Sequence, residues 1–303
     1  MTSDASHEPL WPLLAATNNA LVPSYAAAME RAGADAQVPG TAWMLLLPAY
    51  TFEPEALTTA RLRVRVPYNA PVVYDRLLAE AEAAGLLAAD AEGGYRLSER
   101  GRAALRAILD AGYQAMAGVS VLPAETLERL AALLRRLVGA ALAAPEPPGK
   151  WSLRLSRRTD PGAEAAVVAR IDQYLTDLGA YRDDAHLSAW QPLGVSPEAW
   201  ESLTLLWRGE AATLDELHAK LARRRRSREE YAAALAELQA RGLAVEEGGR
   251  FAPSAQGRDL REEAERLTDR YFYGPFAVLS EAEQLELREL LERLSAALRQ
   301  AVS

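Results

Sequence analysis

Residues 219–231, AKLARRRRSREEY, place Arg223, Arg224, Arg225 and Arg226 in an unbroken run, with Ser227 and Arg228 following, in a chain of formal net charge -8. A guanidinium stays charged everywhere and offers a rigid fork that fits carboxylates and phosphates. The run therefore reads as a solvated turn, as a basic signal, or as the place where the protein meets a phosphate backbone. A second concentration of reactive types is YRDDAHLSAW at 181–190. Here Arg182 and His186, and His186 and Trp190, are four residues apart and share a helical face. Tyr181 precedes them, and TDRYFYGPF at 268–276 adds Tyr271, Phe272 and Tyr273 beside a helix break. Aromatic rings with one cation and one imidazole suit a planar or anionic ligand; the alternative is a packing seam between helices. His186 close to Asp183 and Asp184 also has the elements of acid–base chemistry. No nucleophile elbow, glycine-rich phosphate loop or dinucleotide fingerprint accompanies it, so no enzyme is expected.

Other chemistries are narrowed by composition. There is no cysteine, which removes disulfides and thiolate sites. His7, His186 and His218 lack zinc-ligand spacing, so neither metal nor cofactor is expected. The opening MTSDASHEPLW has no basic start and no apolar core, and no apolar run approaches the roughly 20 residues of a membrane span. The chain reads as soluble and cytoplasmic. Its 303 residues suggest two domains. Of 34 basic residues 32 are arginine, which a compositional bias explains as readily as function does. The net acidity argues against indiscriminate nucleic-acid binding but permits a local basic face.

The elements that must position these residues occur twice. At an offset of 157, Trp43 falls on Trp200, Tyr74 on Tyr231, Leu78 on Leu235 and Gly85 on Gly242. After a one-residue deletion Tyr95 falls on Phe251, Ser98 on Ser254, Gly101 on Gly257 and Arg102 on Arg258. The first offset then returns, with VLPAE at 121–125 against VLSEA at 278–282 and LLRRL at 133–137 against LLERL at 290–294. The second copy is the clearer one. Ser196 and Pro197 open a helix, Thr213 with Glu216 forms a capping box before a short one, and Ser227 with Glu230 caps a third. Gly242 ends that helix, and Gly248-Gly249 centres a short hairpin. A long helix follows, broken near Gly274-Pro275, and SEAEQ caps the last. This order is a winged helix-turn-helix with a helical tail.

The second copy, AWESLTLLWRGEAATLDELHAKL…GLAVEEGGRFAPSAQGRDLREEAERLTDRYF…LSEAEQLELRELLERL, resembles the MarR-type winged-helix regulators over roughly 195–300; residues 40–142 resemble them less closely. The resemblance implies a mainly α fold: tandem winged helix-turn-helix domains with small β-hairpin wings, their long helices packed as an intramolecular pseudo-dimer. The first repeat would occupy 1–142, a linker 143–161 and the second repeat 162–303. Leading helices are expected at about 9–32 and 163–188. PEPP marks a stiff connector, and SLRLSRR suits a strand along the partner half.

In such a fold the turn before the recognition helix passes the DNA backbone, and the helix enters the major groove start first. Arg223, Arg224, Arg225, Arg226 and Arg228 then face phosphates, while Ser227, Arg228 and Tyr231 are placed to read bases. The first copy offers Arg61, Arg63, Arg65 and Asn69, but its helix starts with apolar Val72 and Val73, better suited to protein contact. The wings keep only Arg96 and Arg250, outside the family's Asp-x-Arg motif, and are acidic. The resemblance also implies an effector between the winged domain and the dimer helices, for which Tyr181, Arg182, His186, Trp190, Tyr271, Phe272 and Tyr273 are the candidates. The expected function is a DNA-binding transcriptional regulator, acting as a monomer on an asymmetric double-stranded site. Its effector would act by altering the separation of the two recognition helices. The rival reading is a non-enzymatic ligand-binding or protein-contact module on the same scaffold that has lost DNA binding.

Overall fold

A computed structural model describes residues 9–40 and 42–302; His7 and the opening polar segment lie outside them. The chain is mainly helical, with two small antiparallel hairpins. It begins with α1 (Trp11–Leu21) and α2 (Ala26–Asp35), then α3 (Trp43–Phe52), α4 (Thr59–Arg65) and α5 (Pro71–Ala83). A hairpin of β1 (Leu87–Ala89) and β2 (Tyr95–Leu97) leads into α6 (Glu99–Ala117) and α7 (Ala124–Ala143). After α8 (Trp151–Ser156) comes the long α9 (Val167–Trp190). The remaining elements are α10 (Pro197–Trp207), α11 (Leu214–Lys220), α12 (Arg228–Ala240), the hairpin β3 (Ala244–Glu247) with β4 (Arg250–Pro253), α13 (Ala255–Tyr273) and α14 (Glu281–Val302). None of the described helices is long and apolar enough to cross a membrane.

The local reasons for these elements are those the residues suggest. Thr213 and Ser227 each accept from the backbone N–H three residues on, and Glu216 and Glu230 reach back to complete both capping boxes. Ser280 and Glu283 do the same before α14. Gly85 and Gly242 stop α5 and α12 in the left-handed region, at φ 68° and 69°, where an L side chain is strained. Two further glycines are held by space. A Cβ on Gly101 would lie 2.0 Å from the Leu86 carbonyl oxygen, and one on Gly257 would lie 2.0 Å from that of Leu243. Ser98 and Ser254 donate to the Gly85 and Gly242 carbonyls and cap α6 and α13. The two junctions share these bonds and the same close approach of backbone.

Three cores form. One lobe packs α3, α5, α6 and the first hairpin around Leu46, Leu57, Leu78 and Leu86. A second packs α10, α11, α12 and the second hairpin around Trp200, Leu203, Tyr231 and Leu238. Between them lies a bundle of α1, α7, α9, α13 and α14, lined by Leu14, Leu134, Leu175, Phe272 and Leu291. Its helices come from both ends of the chain: α1 lies on α14, and α9 touches α7 and α13. Arg129 clamps Glu286 bidentately across α7 and α14, at 2.8 and 2.5 Å.

Three expectations change. SLRLSRR is not a strand: residues 151–156 are helical because the Asp184 carboxylate accepts from the Ser152 and Leu153 amides at 2.8 and 2.9 Å, anchoring the start of α8. The leading segment near 9–32 is two short helices, whereas its counterpart is the 24-residue α9. Trp43 and Trp200 do not occupy equivalent places. Trp200 is 1% exposed inside α10, but Trp43 sits at the first turn of α3 and is 47% exposed.

Candidate nucleic-acid interface

The arginine run occupies the turn between α11 and α12, where Arg225 takes a left-handed conformation at φ 57°. That twist alternates the side chains. Arg223, Arg225 and Arg228 point outward, and Arg224 and Arg226 turn inward. Arg226 is 7% exposed; it pairs with Glu198 and with Glu230 at 2.9 Å, and its Nε donates to the Tyr68 carbonyl at 2.9 Å. Arg224 donates to Glu201 at 2.7 and 2.9 Å and to Asn69 Oδ1 at 3.0 Å, and it lies over the Tyr68 ring. In return the Ala70 amide donates to the Arg224 carbonyl at 2.9 Å. The start of α5 is thus clasped to the turn that precedes α12.

This corrects several assignments. Arg224 and Arg226 cannot reach a phosphate here, because both guanidiniums are engaged with carboxylates and with residues 68–69. Tyr231 is fully buried in its lobe and reads no base. Ser227 is committed to its cap. Asn69 is half-buried, donating to Tyr74 Oη at 3.0 Å while accepting from Arg224. In the first lobe Arg61 is drawn to the Ala56 carbonyl and Glu55, Arg63 to the Pro67 carbonyl, and Arg65 to Asp183 at 2.8 Å. Arg96 lies on the surface but is tied to the Pro54 carbonyl and Asp90. Arg223, Arg225 and Arg250 remain exposed, as does Arg228, which is paired with Asp215 at 2.8 Å. The exposed face of α5 carries Val72, Asp75, Arg76 and Glu80; that of α12 carries Arg228, Glu229, Ala233 and Gln239. Helices that enter successive major grooves need their leading ends about 34 Å apart. The clasp holds these two ends together.

Most of the proposed ligand residues are packing residues. Tyr181 is fully buried and its hydroxyl lies 2.9 Å from the Glu146 and Tyr271 carbonyls. Phe272 is buried against Trp11, Tyr181 and Phe276. Tyr273 Oη accepts from the Trp11 amide at 3.0 Å, and Tyr271 lies beside Arg270. Trp190 is stacked between Tyr68 and Trp200, at 6.0 and 5.6 Å. Arg182 and His186 line a cavity of about 570 Å³ where α9, α10, α13 and the arginine turn meet residue Tyr68 of the first lobe, whereas Tyr273 and Tyr271 are half-buried and each lines a separate cavity elsewhere. His186 Nε2 lies 3.1 Å from Tyr68 Oη. Burial, helped by the field of Arg261, lowers its pKa to about 4, so the ring is neutral at pH 7. Neither neighbouring carboxylate serves it: Asp183 goes to Arg65 and Asp184 to α8.

The residue that sequence reasoning passed over is Arg261. It lies 1% exposed in the buried stripe Gly257, Arg261, Ala264, Thr268, Phe272 of α13, where a charged residue is itself the signal. Its guanidinium covers the Trp200 and Trp207 rings at 4.7 and 5.1 Å, Nε donates to Thr204 Oγ1 at 3.0 Å, and Nη2 pairs with Glu265.

A helix-turn-helix family model matches residues 160–303, so this half carries a helix-turn-helix domain. No curated protein and no solved structure matches the chain significantly.

Proposed function

We propose that the protein is a DNA-binding transcriptional regulator of MarR-like build, in which two winged helix-turn-helix repeats, 1–142 and 162–303, are joined through 143–161 into a single-chain pseudo-dimer responsive to a small molecule. The observation that carries this reading is the helix-turn-helix match over α9 to α14, on a lobe where Arg223, Arg225, Arg228 and Arg250 stay exposed around the turn, α12 and the hairpin. Duplication is supported by the matching junctions at Gly101 and Gly257 and by Tyr74 and Tyr231, each buried in its lobe. The clasped arrangement is then the form that does not span two grooves, and binding to duplex requires residues 68–70 to part from Arg224 and Arg226.

The experiment is duplex retention against salt. The unmodified chain retains DNA at low salt and loses it steeply as salt rises. Replacing Arg223, Arg225 and Arg228 together by alanine lowers the slope of log K against log salt by about 3, roughly one per lost phosphate contact. A second reading, a ligand-binding or protein-contact module that no longer binds DNA, is favoured by the acidic and apolar exposed faces of α5 and α12. No retention of any genomic duplex at low salt decides for it.

A further inference from the structure

Of the arginines left exposed around the turn, α12 and the second hairpin, one is held in place. Among the described residues Arg223, Arg225 and Arg250 have no carboxylate within ion-pair distance, whereas Arg228 donates from Nε to Asp215 Oδ1 at 2.8 Å. Asp215 lies in the first turn of α11 and Arg228 is the first residue of α12, so the pair bridges the two helices of the helix-turn-helix. The side chains are 52% and 79% exposed for Arg228 and Asp215, and an ion pair so open to water adds little to the stability of a fold. What it does is fix a fork. With Nε bound, Nη1 and Nη2 are left, among the described residues, without a partner. A phosphate asks for charge and little orientation, which loose arginines such as Arg223 and Arg225 supply; a base edge asks for both. Arg228 is also the one exposed side-chain donor on α12 before Gln239. Ala233 and Ala236 present methyl groups there, Glu229 is an acceptor, and Glu230 is spent on its cap and on Arg226.

We infer that Arg228 reads a guanine in the major groove and that Asp215 is the residue that positions it. The two terminal nitrogens of an arginine fork match guanine O6 and N7, a pair of acceptors that no other base presents in that groove. Adenine carries an amino group beside its N7 and would set a donor against a donor. By holding Nε, the Asp215 carboxylate keeps the fork from swinging to the nearest phosphate, the contact that an untethered arginine makes. A guanidinium in the groove still displaces condensed counterions, so Arg228 still contributes to the salt dependence of binding. The assignment rests on the regulator reading, because it needs α12 to enter duplex DNA start first.

The test uses the full chain and a pool of duplexes with a randomised core of about 20 base pairs, two turns of the double helix, selected for retention at low salt. Retained duplexes are expected to share one guanine. Its replacement by adenine weakens binding at least about 10-fold, and its replacement by 7-deazaguanine, in which carbon stands for N7, weakens it about 5-fold. Arg228→Lys keeps the salt dependence and loses this preference, because an ammonium has the charge without the fork. Asp215→Ala loses most of the preference, retains unrelated duplexes at least as well as the unmodified chain, and leaves Tm nearly unchanged. Asp215→Asn, whose side-chain oxygen still accepts from Nε, regains part of the preference. Retention without a preferred guanine, a preference that survives Arg228→Lys, or one untouched by Asp215→Ala overturns the inference and leaves the regulator reading standing. No retention of any duplex overturns both.

Discussion

A single carboxylate on α9 gives the protein a measurable response to pH. Asp172 is pushed up to about 6 by burial, with a hydrogen bond from Tyr25 opposing the rise; Tyr25 and Tyr113 are the titratable neighbours facing it. Because the folded-state value lies above the ordinary 3.8, the protonated form is favoured in the native protein. The associated stability is present at pH below 3.8 and is lost as pH rises through about 6. Asp172→Asn should therefore stabilise the fold at pH 7.5 by on the order of 2 kcal/mol and change it little at pH 4. Urea midpoints at the two pH values check this; equal shifts at both would count against it. At this scale the sequence disclosed caps and punctuation, because Ser227 and Glu230 need only each other and three residues of chain. It did not disclose which arginines of the run are buried. That choice is made by Tyr68 and Asn69, more than 150 positions away, and no local pattern in ARRRRS separates Arg224 and Arg226 from their neighbours.

Among elements, the tightest constraint lies where each hairpin meets the helix after it. Gly257 at the first turn of α13 passes so close to the Leu243 carbonyl that no side chain fits. Gly257→Ala should cost at least about 2 kcal/mol, since the nearest atom is backbone and cannot swing aside. Gly139→Ala, in the interior of α7 with open space around its position, should cost nothing and stabilise by up to about 1 kcal/mol. Chemical denaturation of the two variants tests the contrast, and equal losses would refute it. The helices of the second lobe were legible because their periodicity and capping are local. The connector was not: SLRLSRR alternates like a strand, yet Asp184 seats it as α8, and Leu153 goes into the bundle. An anchor thirty residues downstream outweighs the local pattern.

For the molecule as a whole, the bundle between the lobes is the deciding structure. Leu287, Leu291, Leu294 and Leu298 of α14 are buried among residues supplied largely by α1 and α7. Residues 162–303 alone would expose this leucine face. That fragment should self-associate, replacing α1 and α7 with a second α14, whereas the whole chain should sediment as a monomer. A monodisperse monomeric fragment would show that the bundle is dispensable. The residues around Gly101 and Gly257 announced a like hairpin–helix junction in each of the two lobes. Their engagement through Tyr68 and the arginine turn was hidden, since it depends on how the lobes are oriented across the bundle. The pairing of α1 with α14 carries a further consequence, for biosynthesis. Leu14 and Leu21 emerge from the ribosome first and must wait for the last helix to be made, which at roughly 5–20 residues per second takes tens of seconds. Through that interval α9 is there to cover only part of the stripe, so the newborn protein keeps oily surface that the finished one has closed.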